Sequence, residues 1–158
     1  MNEADELIVP PDVVCITYIR SAPQRVWEAL TRSEYTRQFF FGRTIEGDFS
    51  KGSTWRLVME DGRTDVEGEV LESDAPRRLQ LTWFVKWIAD APQEATIITY
   101  DIEPIGDLAK LTMTQHTEAR IPRKFAEGGK QGWPAILSSL KSLLETGEAL
   151  LIKMGPPQ

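Results

Sequence analysis

The residue types that most often carry chemistry in proteins are few and scattered in this chain. His116 is its only histidine and Cys15 its only cysteine. A histidine can move protons near neutral pH, but strand alternation places His116 on a solvent-facing side. A single cysteine forms neither an internal disulfide nor a thiolate zinc site, so we predict that Cys15 is a small buried hydrophobic residue. The sequence therefore predicts no metal site.

The acidic residues and the known catalytic motifs give no stronger signal. Glu67 and Glu69 alternate along one predicted strand and are expected to face solvent. A phosphate-binding Walker A loop, a GxGxxG turn, a nucleophile elbow and a zinc-protease motif are all missing from the sequence. We therefore expect no cofactor and favour a protein that is not an enzyme. A cyclase or hydratase remains an alternative, in which Tyr100 donates a hydrogen bond and Gln115 holds a carbonyl.

Composition excludes several classes of partner. The 158 residues are 41% hydrophobic, which is enough for one core without disulfides. The net charge of −6 disfavours nucleic acid and anionic membranes as partners. No apolar run approaches the roughly 18 residues that a membrane span needs, and the acidic N-terminus lacks the features of a secretory signal. We expect a cytoplasmic protein with one domain over residues 12–151 and flexible tails at 1–11 and 152–158.

The first third of the chain predicts one strand and two short helices. The β-branched and aromatic run Val13–Ile19 favours a strand. Ser21 or Ala22 then caps a short helix that extends through Thr31 and has Pro23 near its first turn. A second short helix is predicted over residues 33–38.

From Arg43 onward the apolar period is two, which predicts an antiparallel meander. Leu79, Leu81 and Trp83 share one face of a strand, while Gln80 takes the other, as in a sheet that is wet on one side. Turn sequences separate the strands. They lie at residues 48–52, 61–62, 74–76 and 103–107.

The last apolar pattern has helical spacing and runs from Trp133 to Leu144. Pro134 is placed in the first turn of this helix, and Gly147 ends it. A helix of roughly 14 residues spans about 21 Å, close to the width of four or five strands. The order of elements therefore predicts an α+β fold, in which a curved antiparallel sheet of six or seven strands wraps around the C-terminal helix.

The inward positions of these elements carry apolar and aromatic side chains. Such a lining is typical of a ligand pocket with a few orienting polar groups, and it is equally typical of a filled core. Both interpretations stay open. The candidate ligand-binding residues are Phe40, Phe41, Trp55, Trp83, Ile98, Tyr100, Met113, Gln115, Trp133, Leu137 and Leu140.

Gln115 separates these two interpretations, because its parity with Leu111 and Met113 turns its amide inward. A buried amide without a partner costs about 1–3 kcal/mol. In an open pocket the partner is ligand or water. In a filled core it is a neighbouring protein group.

Four segments resemble a known family. They are SAPQRVWEALT, EYTRQFFFG, GEVLESDAPRRLQLTW and GGKQGWPAILSSLKSLLETG. Together they resemble bacterial proteins similar to the C-terminal domain of the activator of the ninety-kilodalton heat-shock protein ATPase, within the START-like, polyketide-cyclase-like (SRPBCC) superfamily. The resemblance runs from about Val13 to about Leu150. It implies a helix-grip fold with an internal pocket.

The resemblance implies no single activity, because the superfamily includes lipid carriers, receptors and cyclases. Many relatives resemble LTVTHEG at the last strand, with an inward histidine, whereas Gln115 holds that position here. The leading hypothesis is non-catalytic binding of a small apolar or aromatic ligand. The alternative is a co-chaperone-like module that binds a protein partner, with exposed aromatics among Phe39, Phe40 and Phe41. A homodimer through a sheet edge or this aromatic patch is left open.

Overall fold

The structure is a computed structural model and describes residue 3, residues 6–86 and residues 96–152. Four residues of the predicted N-terminal tail (1, 2, 4 and 5) and residues 153–158 of the predicted C-terminal tail lie outside this part. The predicted limits of the domain stay a prediction.

The described residues form one long helix, two short helices and strands of two to eleven residues. In chain order the elements are β1 (Leu7–Ile8), β2 (Val13–Ile19), α1 (Pro23–Thr31), α2 (Ser33–Phe39), β3 (Thr44–Glu46), β4 (Thr54–Val58), β5 (Thr64–Asp74), β6 (Arg78–Val85), β7 (Thr96–Ile105), β8 (Leu108–Thr117), β9 (Ile121–Pro122) and α3 (Arg123–Thr146).

Seven of the strands form one sheet in the order β2-β8-β7-β6-β5-β4-β3, and every neighbouring pair is antiparallel. The apolar side of the sheet faces α3, and the main core lies between them. Leu79 and Leu81 of β6 are buried, as their alternation predicted. The expected α+β helix-grip fold is therefore confirmed. No helix in the described part of the chain has the length and apolar character needed to cross a bilayer.

The predicted start of the long helix is wrong. We placed it near Trp133 because the glycines and polar residues before it disfavour a helix, but α3 begins at Arg123 and contains Pro134. Tertiary contacts override that preference. The Arg123 backbone N–H donates to the Glu6 carbonyl, and the Arg123 guanidinium donates to the Glu6 carboxylate at 2.8 Å.

The predicted N-terminal tail supplies this contact. Its residues Leu7 and Ile8 form β1 and pair with Pro122 and Ile121 of β9. This small two-stranded sheet leads directly into α3, so the first turns of the helix are anchored by residues more than a hundred positions earlier. Part of the segment expected to be a flexible tail is thus integrated in the fold.

The C-terminal half of α3 is anchored to the edge strand β2. The Lys141 Nζ donates to the Tyr18 carbonyl, and the Glu145 carboxylate accepts the Arg20 backbone N–H at 2.8 Å. The Lys141 ammonium, 2.7 Å from the Glu145 carboxylate, lowers the pKa of Glu145. Gly147 then adopts a left-handed conformation (φ 87°) and ends the helix, as predicted.

A second polar contact joins the start of β2 to β8 on the outer face of the sheet. The His116 Nδ1 lies 2.7 Å from the Asp12 carboxylate, and its Nε2 lies 3.4 Å from the Glu118 carboxylate. The His116 side chain is 44% exposed, in agreement with its predicted outward position. The hydrogen bond to Asp12, followed by that to Glu118, raises the pKa of His116 above its usual value.

We predict that this contact makes stability depend on pH. Because the folded-state pKa of His116 is raised, the protonated imidazole stabilises the fold fully below the unfolded-state pKa near 6.5, and the effect is lost as pH rises through the folded-state value. His116→Asn is expected to lower the thermal midpoint at acidic pH and to leave it almost unchanged above pH 8. Exposed pairs of this kind contribute about 1 kcal/mol or less.

Thermal unfolding of both proteins between pH 5 and pH 9 measures this difference. Asp12→Asn removes the main partner and is expected to reduce the gap between the wild-type and histidine-substituted proteins at low pH. A gap that widens as pH rises would contradict the assignment.

Candidate functional site

Five aromatic side chains meet between the sheet and α3, and we call them the aromatic cluster. Trp55, Trp83 and Tyr100 come from the inner faces of β4, β6 and β7. Trp133 comes from α3, and Phe40 follows α2. All except the partly buried Trp83 are at most 8% exposed. Strand alternation and the helical period thus bring Trp55, Trp83, Tyr100 and Trp133 to one place, and Phe40 joins them from the segment after α2.

The rings of the aromatic cluster are in direct contact. The centroids of Trp55 and Trp83 are 5.0 Å apart, those of Trp83 and Trp133 are 5.4 Å apart, and those of Phe40 and Trp133 are 5.8 Å apart. The ring planes are tilted or perpendicular, which is the favourable geometry for aromatic pairs. The cluster therefore packs as a continuous unit.

The two fully buried indoles of the aromatic cluster have hydrogen-bond acceptors. The Trp55 Nε1 donates to the Thr82 carbonyl at 3.1 Å, and the Trp133 Nε1 donates to the Gln115 side-chain oxygen at 2.8 Å. Gly68 of β5 lies so close to the same Thr82 carbonyl that a Cβ there would collide with it. Because its side-chain oxygen accepts from Trp133 of α3, Gln115 faces α3, and its partner is a protein side chain.

The Tyr100 hydroxyl is different. Its side chain is buried, with the residue only 4% exposed, and among the described residues the hydroxyl has no hydrogen-bond partner. Burial raises the pKa of Tyr100, so the phenol stays protonated at neutral pH and can donate a hydrogen bond. Tyr100 is thus an inward donor that a guest molecule can satisfy.

The space enclosed by the aromatic cluster is small. A cavity of about 10 Å³ is lined by Phe40, Trp55, Trp83 and Tyr100, together with aliphatic neighbours. This is close to the smallest volume that holds one water molecule. The sequence left two interpretations open, a ligand pocket and a filled core. The structure has the filled core, and the hydrogen bond of Gln115 to Trp133 agrees with it.

An irregular segment closes one side of the aromatic cluster. Phe41 after Phe40 has a positive φ of 49°, which is uncommon for a bulky residue. The Arg43 guanidinium holds the segment by donating to the Phe41 carbonyl at 3.0 Å and to the Asp65 carboxylate at 2.7 Å. Phe40 is therefore the one ring of the cluster that is carried by neither a strand nor a helix.

The other candidate residues have different positions. Ile98, Met113, Leu137 and Leu140 are buried in the main core. Phe41 is 40% exposed, lies outside the aromatic cluster and lines a separate surface groove of about 300 Å³.

The candidate residues predicted from the sequence omit five that line the small cavity: Leu30, Phe39, Ile45, Leu57 and Leu81. The apolar side of the first helix was a signal for Leu30. The run of three phenylalanines contained no signal for which ring faces inward. In the described part of the chain, no group of three or more His, Cys, Asp or Glu side chains is placed to hold a metal ion.

The Gln115 contact gives a stability prediction. Gln115→Leu leaves the buried Trp133 N–H without its acceptor, so we expect a loss of about 1–2 kcal/mol in the free energy of unfolding. Urea unfolding followed by circular dichroism measures the loss. Trp133→Phe removes the donor, and in that background the same change is expected to cost clearly less. Equal costs in both backgrounds would contradict the role of the hydrogen bond.

Comparison with known proteins places this fold in a family. Residues 20–145 match the family model described as activator of Hsp90 ATPase homolog 1-like protein. A search of the curated proteins found no match.

Solved structures share the fold at low sequence identity. Protein MLL2253 from Mesorhizobium loti superposes with a TM-score of 0.73 at 23% identity, over 85% of this chain and 96% of that one. The Aha1 dimer from Colwellia psychrerythraea gives 0.72 at 19% identity, over 88% and 99%. PFC0360w, an HSP90 activator from Plasmodium falciparum, gives 0.63 at 18% identity, over 77% and 86%. Because the family model covers most of the chain, the protein belongs to the activator of Hsp90 ATPase homolog 1-like family.

Proposed function

We propose that this protein binds a small, mostly apolar or aromatic molecule at the aromatic cluster, without catalysing a reaction. The observation that carries the proposal is the buried Tyr100 side chain, whose hydroxyl has no protein partner among the described residues and is not fully enclosed. A guest that carries a carbonyl or carboxylate accepts a hydrogen bond from this hydroxyl, which contributes about 1 kcal/mol, while its apolar part contacts the rings.

Binding requires the filled interior to open, because about 10 Å³ holds no organic guest. Phe40 is the ring best placed to move, since it lies on the irregular segment after α2. Exposing a buried phenylalanine costs about 1.5–3 kcal/mol, which apolar contacts of a guest with Trp83 and Trp133 can offset. The proposed site thus forms when the aromatic part of a guest takes the place of the Phe40 ring.

Two probe molecules and two variants test the site. Naphthalene carries no acceptor, and 2-acetylnaphthalene adds a carbonyl to the same ring system. Tyr100→Phe is expected to weaken the ketone about five- to tenfold, the equivalent of one hydrogen bond, and to leave naphthalene unchanged. Phe40→Ala is expected to strengthen binding of both molecules, because it removes the ring that fills their place. Tryptophan fluorescence titration measures the affinities.

Tyr18→Ala is the matched control, since this exposed aromatic ring lies on the outer face of the sheet and its removal is expected to change neither affinity. Urea unfolding checks that each variant is folded. If neither probe binds the wild type or Phe40→Ala, the proposal is wrong. Equal loss of both probes in Tyr100→Phe would contradict the role of the hydroxyl.

A second candidate function, partner binding, is favoured by the exposed end of the same segment. Phe41 and Leu151 are 40% and 96% exposed and line the surface groove of about 300 Å³. One structural neighbour is named as an HSP90 activator. Calorimetric titration against a purified bacterial Hsp90 tests this function. Phe41→Ala and Leu151→Ser are expected to weaken binding, whereas Ile105→Ser, at an exposed position on the sheet, is not.

A further inference from the structure

The strand at one edge of the large sheet carries an apolar stripe on its outer face. Val14, Ile16 and Tyr18 of β2 alternate along the strand and are 56%, 53% and 48% exposed. Among the strands that the structure describes, β2 is paired in this sheet with β8 alone. An exposed apolar edge strand is a ready site for pairing with another strand.

The polar groups of this edge can be located from the contacts of α3. The Tyr18 carbonyl accepts from Lys141, and the Arg20 N–H donates to Glu145, so both groups point away from β8. In an antiparallel strand the residues of one parity direct both backbone groups to the same side. Those of Val14 and Ile16 therefore face the same free edge. Among the described residues no strand pairs with this edge, and α3 packs beside it through Lys141 and Glu145.

The stripe is complementary to itself. If two copies of β2 run antiparallel with Ile16 opposite Ile16, then Val14 lies opposite Tyr18, and Asp12 lies opposite Arg20 of the other copy. Each charged residue thus meets its opposite, and each apolar residue meets an apolar one. In this register the directly opposed pairs are also the ones whose backbone groups face the free edge, as hydrogen-bonded antiparallel pairs require.

We propose that β2 is an interface with a second copy of this chain, paired antiparallel about Ile16 so that the sheets of the two copies are continuous. Asp12 and Arg20 are available for the new contacts. Their side chains are 50% and 74% exposed, and their present partners, His116 and Asp107, are surface groups. Since residue i of one copy meets residue 32 − i of the other, the interface is closed and forms a dimer.

Two side chains of α3 compete with the dimer, and one is Glu145, which accepts the Arg20 N–H that donates to the Asp12 carbonyl of the other copy in the paired state. Lys141 occupies the Tyr18 carbonyl, which in the paired state accepts the Val14 N–H of the other copy. Lys141 retains Glu145, 2.7 Å away, when it leaves that carbonyl. The stripe of three residues is also small beside a standard interface of about 1,600 Å². The dimer is therefore weak and forms only at high protein concentration.

Sedimentation equilibrium of the wild-type protein, from micromolar to millimolar concentration, measures the association. Asp12→Arg alone and Arg20→Asp alone each place like charges opposite one another and are expected to weaken the dimer at least about tenfold. The double variant Asp12→Arg with Arg20→Asp restores opposite charges and is expected to return the dissociation constant to near the wild-type value. Ile16→Lys is expected to give a monomer throughout.

Lys141→Ala tests the backbone geometry, because it frees the Tyr18 carbonyl and is expected to tighten the dimer. Ile105→Lys is the control for the loss of exposed apolar surface, since Ile105 is 46% exposed at the C-terminal end of β7. A wild-type protein that stays monomeric at millimolar concentration would overturn the proposal. So would association that Ile16→Lys leaves unchanged, or single charge reversals that the double variant does not rescue. Circular dichroism confirms that each variant is folded.

Discussion

One long helix and two short ones have to cover the apolar face of a seven-stranded sheet, and this constraint organises the rest of the molecule. The 24 residues of α3 extend about 36 Å, and seven strands are about 29 Å wide, so one helix can cross the whole sheet. A helix is straight and a twisted sheet is not, so their separation varies. Large rings, including Phe40 from outside both layers, fill space between them.

Filling that space with indoles creates a second requirement, because every buried N–H needs an acceptor. Trp133 obtains one from Gln115, and Trp55 obtains one from the Thr82 carbonyl. The second contact depends on Gly68, because a side chain there would collide with Thr82. Polar satisfaction and close packing are thus solved together on the inner face. Tyr100 is the exception, and the proposed function rests on it.

The fold was largely predictable, because strand and helix periods follow directly from burial on one face. Helix α1 and strand β2 have the predicted limits. The start of α3 was not predictable, since Glu6 anchors Arg123 from a segment that local preference makes a tail. The strand members of the aromatic cluster, Trp55, Trp83 and Tyr100, followed from parity, and Trp133 followed from helical spacing. Whether these residues enclose a cavity could not be predicted, because ring volumes and the backbone path at Phe40 depend on tertiary packing.

The close contact of Trp55, Trp83 and Trp133 also has an optical consequence. Indole transitions at separations of 5.0 and 5.4 Å couple as excitons, so their circular dichroism depends on the mutual orientation of the rings. These rings come from two strands and one helix that are distant in sequence. Such a coupled signal therefore reports whether the sheet and α3 are joined, without any attached label.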